Sequence, residues 1–404
     1  MTDYRSLFPC LKQKVHGQDL VYLDSAATTL KPQSVIDSIT KHYQTMTANV
    51  HRGIHYLSST ATSQFEETRE TARKFINAQS TNEIIFTKGT TDGMNLLANS
   101  YAAQFLKQGD VLLLSTMEHH SNIVPWQMAR DKVGFTIKEI PIHDDGSLNL
   151  DAFKKLLNEN NVKMISITHV SNTLGTINPI EEIVSLAHKH GAVVAVDAAQ
   201  SVAHMKIDVQ TLKCDFLAFS MHKLFGPTGV GILYGKESLL EMMPPYQGGG
   251  AMIKEVTIEK TTYNDLPEKF EAGTPHIAGV ISSKSALDFV AQLNLVELAK
   301  HEQQLLELAT QKLTNIPGIR IIGEAQQKCS VLSFVLEGTH PHDLGMILDQ
   351  KGVAIRTGHH CTQPLMKRFN VPATARASFS LYNNQSDVER LIEATLKAQE
   401  LLNL

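Results

Sequence analysis

The stretch Ala192-Val193-Val194-Ala195-Val196-Asp197-Ala198-Ala199-Gln200, read with Ser220-Met221-His222-Lys223, decides the fold of this chain. Five small or β-branched apolar residues in a row have the pattern of a strand buried on both faces, and the run stops at a carboxylate. A second apolar run, Phe216-Leu217-Ala218-Phe219, ends in Ser220 and carries Lys223 just beyond it. Ligands of open α/β sheets sit in the crevice outside the carboxyl ends of the strands, so Asp197 and Lys223 are expected to face one cleft.

An aspartate and a lysine in such a cleft meet two needs of pyridoxal phosphate. The amine forms a Schiff base, and the carboxylate keeps a proton on the pyridine nitrogen so that the ring accepts electrons. A buried ion pair explains these two residues alone equally well, so other stretches must decide.

Upstream, strand-like and helix-like segments alternate. Glu83-Ile84-Ile85-Phe86-Thr87 reads as a strand, Lys88 to Gly93 as a turn and Met94 to Phe105 as a helix. Val111 to Leu114 and Met164 to Thr168 are further buried strands, and helices are expected over Val35–Tyr43, Ser63–Ile76 and Ile180–His190. The alternation predicts a mostly parallel sheet covered on both sides. Downstream, Val230-Gly231-Ile232-Leu233-Tyr234 reads as an antiparallel strand, and one long helix, Ser282 to Leu313, as a bridge to a smaller unit. That unit holds Ser330–Leu336, Val353–Ile355, Ala377–Ser380 and a last helix, Ser386–Leu402. At 404 residues, two domains are the natural expectation. They are expected over residues 21–285, and over 1–20 together with 286–404.

The composition, 42% hydrophobic and 19% charged, is that of a globular protein. A net charge of −4 with scattered Lys and Arg argues against nucleic-acid or anionic-membrane binding. The N-terminal residues have no apolar core of signal-peptide length, so a cytoplasmic location is expected. The cysteines Cys10, Cys214, Cys329 and Cys361 form no CxxC pair, which suits free thiols better than disulfides or structural zinc.

Three polar stretches stand out as candidates. The hydroxyls of Lys88-Gly89-Thr90-Thr91 open a helix, where unpaired N–H groups favour an anion such as phosphate, though an ordinary Thr cap fits as well. The pair His119-His120 follows a strand end without metal-pair spacing, and suits stacking on a flat cofactor better than zinc. Arg356-Thr357-Gly358-His359-His360-Cys361-Thr362 displays a thiol among polar and basic residues, where thiolate forms more readily than in an apolar core.

At these residues the sequence resembles the SufS-type (group II) cysteine desulfurases and the related selenocysteine lyases. The resemblance runs from Tyr22-Leu23-Asp24-Ser25-Ala26-Ala27 to Arg376-Ala377-Ser378, and the long serine-rich cysteine loop of group I is missing. It implies a pyridoxal-phosphate-dependent transferase of the aspartate aminotransferase-like fold type I, α/β, with a seven-stranded sheet domain and a smaller α+β domain. It also implies that Lys223 holds the cofactor, that Asp197 pairs with the pyridine nitrogen and that Gln200 bonds the phenolic oxygen. By the same resemblance His120 stacks on the ring, while Thr91, Ser220 and His222 bind the phosphate, with Thr274 reaching in from the other subunit of a homodimer. Arg376 would take the substrate carboxylate, and Asn172, His55 and Arg356 would line the same pocket.

The implied reaction turns L-cysteine into L-alanine and a persulfide on Cys361. A SufE-like or SufU-like sulfur-acceptor protein would then carry the sulfur to iron–sulfur cluster assembly. A selenocysteine lyase, an aminotransferase on the same scaffold, and a non-enzymatic sulfur or metal carrier using His359-His360-Cys361 are the alternatives. Two residues depart from the family pattern: Thr362, where alanine is usual, and Ala251, where an acidic residue is common.

Overall fold

The structure, a computed structural model, describes residues 4–402. The first three and last two residues of the expected smaller unit lie outside the described residues. Seven strands form the main sheet: β1 (Ile84–Thr87), β2 (Val111–Ser115), β3 (Thr136–Ile140), β4 (Val162–Thr168), β5 (Val193–Asp197), β6 (Phe216–Ser220) and β7 (Gly231–Gly235). Their spatial order is β1-β7-β6-β5-β4-β2-β3. The neighbours from β3 to β6 are parallel, and β7 is antiparallel to both β6 and β1.

Residue alternation along the strands explains the two-sided burial. Val194 and Val196 of β5 and Leu217 and Phe219 of β6 pack into one core, while Ala195, Phe216 and Ala218 pack into the core on the opposite face. Each large apolar side chain so buried contributes about 1.5–3 kcal/mol, which fixes the register, since a one-residue slip would invert every position. The strands β2, β4, β5 and β6 therefore end side by side, presenting Ser115, Thr168, Asp197 and Ser220 at one edge.

A second, four-stranded antiparallel sheet runs in the order Ile319–Ile322, Val331–Leu336, Thr374–Ser378, Arg356–Gly358. The helices Leu295–Thr314, Pro341–Gln350 and Gln385–Leu401 contribute to its own core with Leu332, Phe334, Leu344 and Val388. Val21–Tyr22, expected with the large unit, pairs in parallel with Val353–Ala354, and Val21 and Leu23 join this smaller core.

The long bridge expected from Ser282 to Leu313 is two helices, Ile277–Ala291 and Leu295–Thr314. Between them the Asn294 side chain accepts a hydrogen bond from the Glu297 N–H at 3.3 Å, an N-cap that starts the second helix. The apolar period runs through the break and hides it. The helix expected from Ser63 begins earlier, at Tyr56, where His55 caps it. Among the described residues, no helix is long and apolar enough to cross a membrane.

Candidate active site at the strand ends

The edge formed by the parallel strands opens into a cavity of about 210 Å³. Asp197, Gln200, Ser220, His222, Lys223, Asn172, Arg376 and Cys361 all line it, so the two halves of the chain meet there. Asp197 ends β5 at 3% exposure, and its Oδ1 accepts a hydrogen bond from the Ala199 N–H at 2.9 Å. Burial pushes its carboxyl pKa up, and the Ala199 N–H and the Lys223 ammonium work against that. The Lys223 pKa is lowered to about 8, first by burial and further by Arg376, with Asp197 opposing. Both groups are thus drawn towards neutrality by the same desolvation.

Lys223 closes a single 3-10 turn, Met221–Lys223, that follows β6 directly. The carbonyl of His222 in this turn is held by the Thr29 N–H at 3.1 Å, by the hydroxyls of Thr28 and Thr29 at 3.0 and 3.1 Å, and by Lys31 Nζ at 2.7 Å. Thr29 Oγ1 also accepts from the Phe225 N–H at 2.8 Å. The segment Thr28-Thr29-Leu30-Lys31, just before Pro32, is therefore the clamp on the lysine turn. Burial lowers the Lys31 pKa to about 7.

At one end of the cavity, Ser220 Oγ accepts from the Thr90 N–H at 2.8 Å and bonds Thr90 Oγ1 at 2.9 Å. Gly89 adopts φ +147, and a Cβ there would meet Ser220 Oγ at 3.1 Å, so the turn needs glycine. Thr90, Thr91, Ser220 and His222 together form a polar end next to a helix N-terminus.

Of the two adjacent histidines it is His119, not His120, that lines the cavity. His119 Nδ1 is fixed by Ser121 Oγ at 2.8 Å and by the Ser121 N–H at 3.1 Å. Burial, then Lys223, lowers its pKa to about 3, so the ring is neutral. Beneath it Glu118 is fully buried, taking hydrogen bonds from Ser115 Oγ, Asn122 Nδ2 and the Thr168 N–H. Desolvation raises its pKa to about 8, with Asp197 adding to the rise. His120 points the other way: its N–H donates to the Cys361 carbonyl at 2.7 Å and its Nε2 accepts from the Gln363 N–H at 3.1 Å. A buried, bonded Glu118 anchors the turn and leaves its two successors on opposite sides, a parity that the sequence does not print.

Another part of the lining is cationic. Arg376, 2% exposed, donates from Nη1 to the Asn172 carbonyl at 2.9 Å and from Nη2 to Asp24 Oδ1 at 3.0 Å. Its Nε is buried with no partner among the described residues, which suits an incoming anion. Arg356 lies 3.6 Å from Asp24 Oδ2. Asp24 was not singled out in the sequence, although it ends an apolar run, Val21-Tyr22-Leu23, just as Asp197 does.

Cys361 is half-buried and follows His360 in a left-handed backbone turn, with φ +57 and +50. Its N–H donates to His359 Nδ1 at 3.0 Å, and Asn172 Nδ2 donates to the His360 carbonyl at 2.9 Å. Thr362 is buried and bonds Thr173 Oγ1 at 2.9 Å, so this departure from the family pattern ties the loop to the large unit. His55 and Thr274 do not reach the cavity of their own chain. His55 is exposed and accepts from the Ser58 N–H at 3.3 Å, and Thr274 sits on an exposed loop beside Gly273 and Ala251.

Residues 21–391 match the aminotransferase class-V family. A probable cysteine desulfurase of Halalkalibacterium halodurans is 48% identical over 398 residues, 98% of each chain. A cysteine desulfurase of Escherichia coli is 48% identical over 399 residues, again 98% of each chain. The chain belongs to the cysteine desulfurases. The solved structure of the desulfurase CsdA of Escherichia coli superposes with a TM-score of 0.91 at 38% identity, covering 98% of both chains. That of a desulfurase of Thermococcus onnurineus gives 0.91 at 36%, covering 98% of this chain and 99% of the other.

This desulfurase is an enzyme of the pyridoxal-phosphate-dependent class, with the α/β architecture described above. The cavity residues suit that cofactor. Hydroxyls and a helix N-terminus match a phosphate, and a buried carboxylate matches a ring nitrogen. An amine with a lowered pKa in the same cavity matches an aldehyde carbon.

Proposed function

We propose that this desulfurase is of the SufS type, that it leaves the sulfur of L-cysteine as a persulfide on Cys361, and that it hands that sulfur to an acceptor protein. The observation that carries this is the shared cavity: Lys223 and Cys361 line one space, with Arg376 beside them. Only four residues, His359 to Thr362, separate the strand Arg356–Gly358 from the helix Gln363–Arg368, which fits a short cysteine loop.

The roles follow from the positions. Pyridoxal phosphate held here, with Asp197 pairing to its ring nitrogen, would supply an electron sink for charge at the substrate Cα. Lys223 would anchor it, Thr91, Ser220 and His222 would hold its phosphate, Gln200 would bond the ring's phenolic oxygen, and His119, rather than His120, would stack on the ring. Arg376, with Asn172 and Arg356, holds the substrate carboxylate, and Asp24 orients both guanidinium groups. Lys223 Nζ moves the Cα proton. The Cys361 thiolate attacks the substrate sulfur; the S–S bond forms as the Cβ–S bond breaks, and the released electron pair takes up a proton at carbon to give alanine.

His55 and Thr274 lie on exposed loops close to the groove formed by Asn49–Arg52, Ala251 and Gly273, a position from which they can serve the cavity of a second copy in a homodimer. Incubation with L-cysteine followed by intact-mass measurement tests the reading. The expected result is one added sulfur on Cys361 and alanine in solution, both lost in Cys361→Ala. Retained cysteine turnover in Cys361→Ala, together with selenocysteine turnover, would favour the lyase instead.

A further inference from the structure

On the outer side of Cys361, away from the cofactor residues, the loop and the turn after β2 bring three donors together. One ring nitrogen each from His120 and His359, and the Cys361 sulfur, lie within 4.8 Å of one another. The two imidazole rings sit 5.5 Å apart at 35°. His359 is exposed, and His120 and Cys361 are half-buried, so solvent ions reach all three. We propose that His120, His359 and Cys361 form a reversible binding site for a soft divalent cation, zinc above all, that caps the reactive thiol.

The donor chemistry favours zinc over magnesium or calcium, because two imidazoles and a thiolate are soft or borderline ligands and no carboxylate takes part. Tetrahedral zinc with its usual bond lengths sets its donors roughly 3.3–3.6 Å apart, so from separations of up to 4.8 Å the three groups must close by up to about 1.2–1.5 Å. The exposed His359 ring would do so against the hydrogen bond that its Nδ1 accepts from the Cys361 N–H at 3.0 Å. Part of the arrangement is already set. His120 Nε2 accepts from the Gln363 N–H at 3.1 Å, so its lone pair faces the loop, and a cation bound there would have to displace that hydrogen bond. The His120 N–H bond to the Cys361 carbonyl holds the two chain segments together at 2.7 Å. Three protein ligands leave a fourth position for water, and binding releases the thiol proton.

Binding needs no cofactor chemistry, whereas its consequence, blocked sulfur acceptance, rests on the role given to Cys361 above. The two are separable in one experiment on the full-length, cofactor-loaded enzyme. Zinc, and cobalt as its optical probe, are titrated without L-cysteine, and Cys361 alkylation by iodoacetamide is followed by mass. One cobalt per chain with the visible absorption of four-coordinate geometry, and zinc protection of Cys361 from alkylation, are expected. His359→Gln and His120→Gln should each lose at least about tenfold in zinc affinity, a scale that even outer-shell changes reach. Protection equal to the unmodified enzyme in both histidine variants means that the thiolate alone holds the metal, and overturns the site. Failure of zinc to protect Cys361 in the unmodified enzyme overturns it too. Zinc bound through all three residues with undiminished alanine release overturns the capping. By contrast, absence of a Cys361 persulfide in metal-free enzyme overturns only the function proposed above.

Discussion

Lys223 and Cys361 meet in one cavity, but the first hangs from the end of a strand inside a seven-stranded sheet, and the second from a short loop between a three-residue strand and a six-residue helix. Around Lys223, one carbonyl is gripped by four donors, and burial has moved the amine pKa to about 8. Around Cys361 the backbone is left-handed at two successive residues, a conformation that costs non-glycine residues about 1–3 kcal/mol each and persists only where neighbours hold it. Asn172, His120 and Thr362 provide that hold. The difference suggests a division of labour consistent with the proposed function: the sheet fixes the lysine, and the loop presents a thiol that would pass on only the outer sulfur of its persulfide.

The sharpest test of this division separates the two residues. Lys223→Ala should lower alanine release by about 10³-fold or more, since on the proposed roles it removes both the anchor and the proton carrier, and should also abolish the absorbance of anchored cofactor. Cys361→Ser should stop persulfide formation while leaving that absorbance unchanged; a lost absorbance would break the comparison. Next, Arg376→Lys replaces a planar fork by a point charge next to Asp24. It should cut kcat/KM by about 10–100-fold, mostly through KM, as expected for a charged hydrogen bond worth roughly 1.5–3 kcal/mol.

The lysine side of the comparison also predicts a pH dependence. Cofactor loading of the stripped enzyme needs the neutral amine, and a pKa lowered to about 8 means that the neutral fraction grows as pH rises and levels off above that value. The loading rate should thus rise about tenfold from pH 7 to a plateau near pH 9, rather than climb to the ordinary lysine range. The smallest effect is expected on the loop. Gly358 adopts φ +127, so Gly358→Ala strains the strand before the cysteine by about 1 kcal/mol, and should slow persulfide formation severalfold without changing the cofactor spectrum.

Much of the fold was legible because periodicity reports burial. The runs Val193–Asp197 and Phe216–Ser220 are apolar on both faces, and the structure buries them on both faces. Asp197 and Lys223 were readable for the same reason: a charge at the end of a buried strand has to face a cleft. Periodicity was silent on the break at Asn294, where a cap rather than an apolar gap divides two helices. It was silent too on which histidine of His119-His120 faces inward, since that depends on how buried Glu118 anchors the turn.

By itself the sequence determined the buried strands and the charges at their ends, Asp197 and Lys223, because local patterns of burial and charge are written one residue at a time. Only the tertiary structure decided that Asp24 holds Arg376, that Lys31 grips the lysine turn, and that His120 stands with His359 at the thiol. Those pairings join segments far apart in the chain. Their energy comes from removing polar groups from water together, a property of the packed molecule that no single stretch carries.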